Sequence, residues 1–426
     1  MKLSRNRIIF LGFALVMVLS LCTIGIGAQT KTLKVLTVSN WWFKGHDAFA
    51  DALYKKLGIK LEVEKLPDEQ GVQVIRTRLA VNEVPDILLY YSGANMRQIS
   101  PEQFFVDLSK EPWVNNLVPV VKNVVSANGK IYGSPNNSMP LGGVVYNKKI
   151  YSKLGLKVPT TWKEFLDNCE KIKAAGVVPV CYSFKENWTA QLLNLIGWYE
   201  IEKKHPDAAK LINTNKLKMA DIPEYVGDFR KLSELREKGY INKDYLAVTF
   251  DNAQKMIANG DAAMYLMGSW IVDTLSANYP DKINDLGGFA LPSDDGKYNG
   301  VTVWASQAIY IPKESKNVAL AKKVLEFWAS KEGQAAFFKV QKTNGAPSFK
   351  GVNAGDTYGI VKDFKKYLDN GQAAMALEFQ IDISLSNDLP RACVDAGIGA
   401  KSPKEAAQAV DAALEKNAKD QKLPGW

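Results

Sequence analysis

The sequence predicts an α/β protein built as two lobes. Three observations carry this. Short β-rich runs alternate with helix-period segments, the pattern of strands layered against helices. The alternation returns in the middle of the chain. No linker and no internal sequence repeat separates the halves, so the chain is expected to cross between the lobes more than once. A length of 426 residues allows two or three domains.

The first strand is read at Lys34-Val35-Leu36-Thr37-Val38, followed by a loop with Ser39, Asn40, Trp41 and Trp42. Phe49, Leu53 and Leu57, spaced by four, mark a helix that Gly58 stops. Ile59 to Val63 alternates as a second strand, Val72 to Val81 reads as a helix, and Pro85 to Tyr91 as a buried third strand. The pattern predicts a largely parallel sheet. In the middle, Gly142 to Tyr146 and Val177 to Tyr182 are strand-like. Thr161 to Ala174 is helical, opened by a Thr161/Glu164 capping box. Residues 206–247 read as mainly helical and Phe250 to Asn259 as a helix closed by Gly260. Ala262 to Met267 and Val301 to Ile311 read as strands, and Val318 to Lys331 and Pro403 to Asn417 as helices.

The N-terminus reads as an export signal over residues 1–28. Lys2, Arg5 and Arg7 precede an apolar run from Ile8 to Ile24, and Gly25, Gly27 and Ala28 offer a cleavage site. Two alternatives are an uncleaved anchor, since the run approaches the length that spans a bilayer, and lipid attachment at Cys22. The formal charge is +9, falling to +6 without those three bases. Basic residues are interspersed with acidic ones, which argues against nucleic-acid binding. Cys169, Cys181 and Cys393 form no CxxC motif; a Cys169–Cys181 bridge and three free thiols both fit. His46 and His205 are the two histidines and are far apart in sequence, so a histidine metal site or a Ser-His-Asp triad has little support.

Several segments resemble the extracytoplasmic solute-binding proteins of ABC transporters, in particular the family of carbohydrate binders. They are Gly58-Ile59-Lys60-Leu61-Glu62, Val84-Pro85-Asp86-Ile87, and Asn128 to Pro135. Next come Val145-Tyr146-Asn147-Lys148 with Pro159 to Phe165, then Asn259 to Met264 with Gly268-Ser269-Trp270, and Ser315-Lys316-Asn317. Their order and spacing carry the likeness, which spans nearly the whole chain after residue 28. The resemblance implies a type II periplasmic-binding-protein fold: two α/β domains, a multi-strand hinge and a ligand cleft between them. It implies lobe one at residues 29–143 with 302–346, and lobe two at 144–301 with 347–426. It also implies a sugar ligand, transporter permease subunits as membrane partners, closure about the hinge, and a monomer without cofactor, metal or catalytic residues.

A sugar offers apolar C–H faces and a rim of hydroxyls, so its site needs flat aromatic surfaces beside amides and carboxylates. Ligands of α/β sheets sit beyond the carboxyl ends of strands. Trp41, Trp42, Trp188 and Trp270 all follow an expected strand, and Trp304 lies near an implied crossover. Trp41 and Trp42 are adjacent on an extended segment and face opposite ways, so one can be core. Trp162, Trp198 and Trp328 read as structural. Asn40, Ser92, Asn137, Asn187 and Glu378 are the candidate hydrogen-bonding residues. Asp86 at a buried strand start reads as a backbone anchor. A glycoside hydrolase would need two carboxyls about 5–10 Å apart, such as Asp86 and Glu378, and a non-sugar solute such as a polyamine, amino acid or peptide is the other alternative.

Overall fold

The computed structural model describes residues 31–67, 70–136 and 138–426. The expected signal segment, Cys22 and Asn137 lie outside the described residues. Two mixed sheets organise the chain. The first is ordered β2-β1-β3-β10-β4, from Lys31–Val38 (β1), Ile59–Leu66 (β2), Ile87–Tyr91 (β3), Gly133–Pro135 (β4) and Gln307–Tyr310 (β10). The second is ordered β12-β9-β5-β7-β6, from Met139–Asn147 (β5), Val178–Val180 (β6), Ala262–Gly268 (β7), Val301–Val303 (β9) and Ala373–Met375 (β12). Leu286–Phe289 (β8) and Gly345–Ala346 (β11) pair with β5 outside that order. Helices cover both sheets; every residue of β7 is buried, as expected of a strand covered on both faces.

The expectation of a largely parallel sheet is corrected. β1 pairs parallel with β2 and β3, but β10 runs antiparallel to β3 and β4. In the second sheet β5 is antiparallel to β7, β8, β9 and β11. The reason is the path of the chain. Strands that arrive from the other sheet are not delivered by a βαβ crossover, which is what enforces parallel pairing.

The run Val301 to Ile311, expected as one strand, is two. β9 belongs to the second sheet and β10 to the first, and Trp304 to Ser306 cross between them. The passage from Pro135 to Met139 makes another crossing. Near these points three chain segments lie side by side. Thr302 and Val303 pair with Gly142 and Leu141, the Trp304 N–H donates to the Pro140 carbonyl, and Gly345 and Ala346 pair with Pro140 and Met139. This hydrogen-bonded ribbon is the multi-strand hinge of a two-lobed fold.

Local chemistry sets the helices. The Thr161 hydroxyl accepts the Glu164 N–H at 3.1 Å, and the Glu164 carboxylate accepts the Thr160 and Thr161 N–H groups at 2.7 and 3.3 Å. The helix expected over Val318 to Lys331 stops at Trp328; Ser330 caps a new one, Lys331–Phe338, by accepting the Gly333 N–H at 3.0 Å. Within 206–247 the helices are Ala208–Asn213 and Pro223–Glu237, joined by turns. Cys169, Cys181 and Cys393 are buried free thiols.

Candidate functional site

The site is built on a pair of glycines. Gly142 of β5 faces Gly268 of β7 across the ladder. A Cβ placed on Gly142 would fall 2.1 Å from the Trp304 ring, and one on Gly268 would fall 1.9 Å from the Trp270 ring. Only a bare backbone lets both indoles lie this close to the sheet. The two rings meet edge to face with centroids 5.2 Å apart. Trp188 continues the wall, 6.4 Å from Trp270 and tilted by 53°, and Phe250 stands against Trp188 at 5.2 Å. Trp270 and Trp188 are half-buried, whereas Trp304 is only 3% exposed. Trp304 therefore backs the wall, and Trp270 and Trp188 present it.

Glu378 stands beside Trp304. It lies in the short helix Leu377–Gln380, whose backbone closes against Gly93 at the end of β3. Burial pushes its carboxyl up to about 7, against a hydrogen bond from Trp304 that lowers it. Tyr91, the last residue of β3, is its neighbour. Burial and then the Glu378 charge push the Tyr91 phenol up to about 12. Trp41 leans on Tyr91 with ring centroids 5.0 Å apart. Trp41, Tyr91, Glu378, Trp304, Trp270 and Trp188 thus form one continuous set drawn from both sheets.

The other expected residues have different surroundings. Trp42 is packed into the first lobe; its indole donates to Asp47 at 2.7 Å and stacks on His46 at 4.8 Å. Ser92 is buried, with its hydroxyl donating to the Ala305 carbonyl and its N–H to the Ser306 carbonyl at 3.0 Å, so it pins the crossing segment to β3. Asn40 and Asn187 are exposed, each in a one-turn 3-10 helix beside Trp41 and Trp188 respectively. Asp86 accepts from the Lys34 N–H, the Ser315 hydroxyl and the Asn317 amide at 2.9, 2.7 and 3.0 Å, which is an anchoring role. It precedes β3 whereas Tyr91 ends it, a separation of about 16 Å along the strand. The structure does not bring Asp86 and Glu378 together as a hydrolase pair.

Two residues escaped the sequence reading. Tyr91 ends a strand, the same signal that drew attention to Trp41 and Trp270, but it was counted with the strand itself. Phe250 begins a helix and carries no signal of its own. Among the described residues, no group of three or more His, Cys, Asp or Glu is placed to hold a metal, and no helix is long and apolar enough to cross a membrane.

This architecture matches known proteins. The solved structure of a solute-binding protein in complex with raffinose superposes with a TM-score of 0.77 at 20% identity, covering 91% of this chain and 99% of that one. A chitin oligosaccharide binding protein superposes with a TM-score of 0.73 at 20% identity, covering 88% and 95%. These likenesses show the fold. By sequence, the chain is 27% identical over 302 residues to a multiple sugar-binding protein of Streptococcus mutans, covering 69% of each chain. It is 26% identical over 367 residues to an uncharacterised ABC transporter extracellular-binding protein of Pyrococcus horikoshii, covering 82% of this chain and 79% of that one. The family profile described as bacterial extracellular solute-binding protein matches residues 44–335, which takes in β2 to β10 and the glycine-backed indoles. With more than half of the chain inside that match, the protein belongs to the bacterial extracellular solute-binding family.

Proposed function

We propose that the protein captures a neutral sugar or oligosaccharide between its lobes and passes it to the permease subunits of an ABC transporter. The observation that carries this is the wall of Trp188 and Trp270, backed by Trp304 and edged by Tyr91 and Glu378. Indole faces stack on the C–H face of a pyranose, and a phenol with a carboxyl serves its hydroxyl rim. The named groups include one carboxyl and no base. A relative named for sugar binding and neighbours holding raffinose or named for chitin oligosaccharide binding point the same way.

On this reading the protein binds without a chemical step, is exported, and acts as a monomer. We set the lobe limits at the crossings: residues 31–138 with 305–350, and 139–304 with 351–426. Sheet membership supports the first two crossings, and the backbone bonds Val118 to Ser348 and Lys350 to Asn116 support the third.

A thermal-shift screen tests the ligand. The panel is raffinose, stachyose, chitobiose and xylobiose, with spermidine, amino acids and short peptides beside them. Ligand at a hundred times its Kd stabilises the folded chain by about 2.7 kcal/mol. A shift with a sugar that is recovered unchanged after long incubation supports the reading. A shift confined to spermidine replaces the sugar with a cation, and turnover of the sugar replaces the binder with an enzyme.

A further inference from the structure

Trp270 is the N-cap of the helix Ile271–Asn278, and its side chain makes no capping bond. An indole carries an N–H and no acceptor, so it cannot serve the free N–H groups of a first turn. What holds this helix start comes from elsewhere in the chain. On one flank, the Ser269 hydroxyl accepts the Leu141 N–H at 2.8 Å and donates to the Asn344 carbonyl. On the other, one turn into the helix, Asp273 accepts the Gln341 side-chain amide on Oδ1 and the Asn344 side-chain amide on Oδ2, each at 2.7 Å. Both flanks of Trp270 therefore meet Asn344.

An aspartate in a first turn ordinarily faces the free N–H groups of its own helix. Asp273 instead spends its two oxygens on residues 68 and 71 places away in the chain. The Asn344 amide oxygen is buried without a hydrogen bond, so the bond to Asp273 is that side chain's one polar contact among the described residues. The segment that Asp273 grips belongs to the hinge. Thr343 shares a hydrogen bond with Ser138 at 2.7 Å, and Gly345 and Ala346 pair with Pro140 and Met139. Lys342 turns away to Asp356 at 3.9 Å. Residues 341–346 thus bond to the Trp270 helix through Gln341 and Asn344, and to the crossing strand through Thr343, Gly345 and Ala346.

From this geometry we infer that Asp273 is a positioning residue for the ligand-stacking ring of Trp270: it ties the helix that Trp270 leads to residues 341–346, so the ring keeps its place relative to the hinge. The inference rests on the sugar-binding reading and deepens it. Asp273 itself touches no ligand in this account; it acts through the ring.

Calorimetry on the full chain tests it with raffinose, stachyose, chitobiose and xylobiose, at a temperature where circular dichroism shows each variant folded. Asp273→Ala should weaken sugar binding about tenfold, the scale of a misplaced aromatic contact. Gln341→Ala removes one of the two bonds at a half-buried residue and should cost about threefold; it carries the test if Asp273→Ala does not fold. Asp273→Asn should stay within about twofold, because its oxygen still accepts from Gln341 and its NH2 can donate to the Asn344 oxygen once that amide turns over. In a Trp270→Ala background, Asp273→Ala and Gln341→Ala should each cost no further affinity, since no ring remains to be placed. Unchanged affinity in both single variants, or an equal loss with and without the ring, overturns the inference and leaves the sugar reading standing. Full affinity in Trp270→Ala removes the ring from the site, and the inference with it. If none of the four sugars binds the unsubstituted protein, both fall.

Discussion

At the scale of single residues, the site depends on atoms that are missing from two side chains. Gly268 makes room for the Trp270 ring, and a methyl there would sit 1.9 Å from it. Gly268→Ala is therefore expected to displace the indole and weaken ligand binding by about tenfold, equivalent to the ~1.4 kcal/mol of a lost aromatic contact. Calorimetry on the panel sugar with the largest shift would measure it; unchanged affinity would show that the ring tolerates the move. Ser269, one residue on, is fully buried. Its hydroxyl accepts the Leu141 N–H at 2.8 Å and donates to the Asn344 carbonyl, joining two segments of the hinge. Ser269→Ala leaves that N–H without its partner, so urea unfolding should show a loss of ~1–3 kcal/mol. His46 gained no role from sequence. In the structure its Nδ1 accepts the Phe43 N–H at 2.9 Å, which assigns the proton to Nε2 and directs it to the Asn136 side chain at 2.9 Å. A histidine held between Trp42 and Phe43 of its own segment and Trp328 and Phe337 of a distant one is invisible to spacing rules, because the second pair is brought in only by the fold.

At the scale of elements, sequence legibility follows the range of the interaction that sets each one. The Thr161/Glu164 box is local, and it stands in the structure where the spacing placed it. Thr161→Ala should lower stability by ~1 kcal/mol and leave ligand affinity unchanged, since the helix start lies in a surface cap; a shifted denaturant midpoint with an unshifted binding isotherm is the expected pair of results. The Pro85-Asp86 and Ser315-Lys316-Asn317 segments, 229 residues apart at Ser315 and Asp86, turn out to share one carboxylate. Their co-occurrence was readable, but the bond between them was not. The split of Val301 to Ile311 was the least legible feature. No Gly, Pro, Asn or Asp punctuates the run, and periodicity reports a strand's faces without saying which sheet receives it. That Trp41, Trp188 and Trp270 stand after strands was legible, because strand ends are local signals; that Trp304 backs the wall and Trp42 joins the core depends on packing between distant segments.

At the scale of the whole molecule, buried titratable groups set how stability responds to pH. Glu378 and Asp273 are both pushed up to about 7 by burial, Asp273 while accepting from Asn344 and Gln341 at 2.7 Å each. The folded chain keeps these protons where the unfolded chain has lost them, so their effect is to reduce stability as pH rises from about 4 through 7. His46 acts in the other direction. Burial holds it down to about 4, so the folded chain leaves it neutral where the unfolded chain protonates it, and stability is lost as pH falls from 6.5 towards 4. Glu378→Gln should therefore raise the Tm more at pH 8 than at pH 5, and a thermal melt series at the two pH values checks it. An equal effect at both would show that the carboxyl is not desolvated in the folded chain.

The ribbon of β5, β9 and β11 has a mechanical meaning. Three segments bonded edge to edge resist stretching and sliding past one another, because either motion would break several backbone hydrogen bonds together. Bending the ribbon across its strands breaks none. The joint therefore behaves like a door hung on three knuckles, with one soft degree of freedom, and one angle describes how far the two halves stand apart.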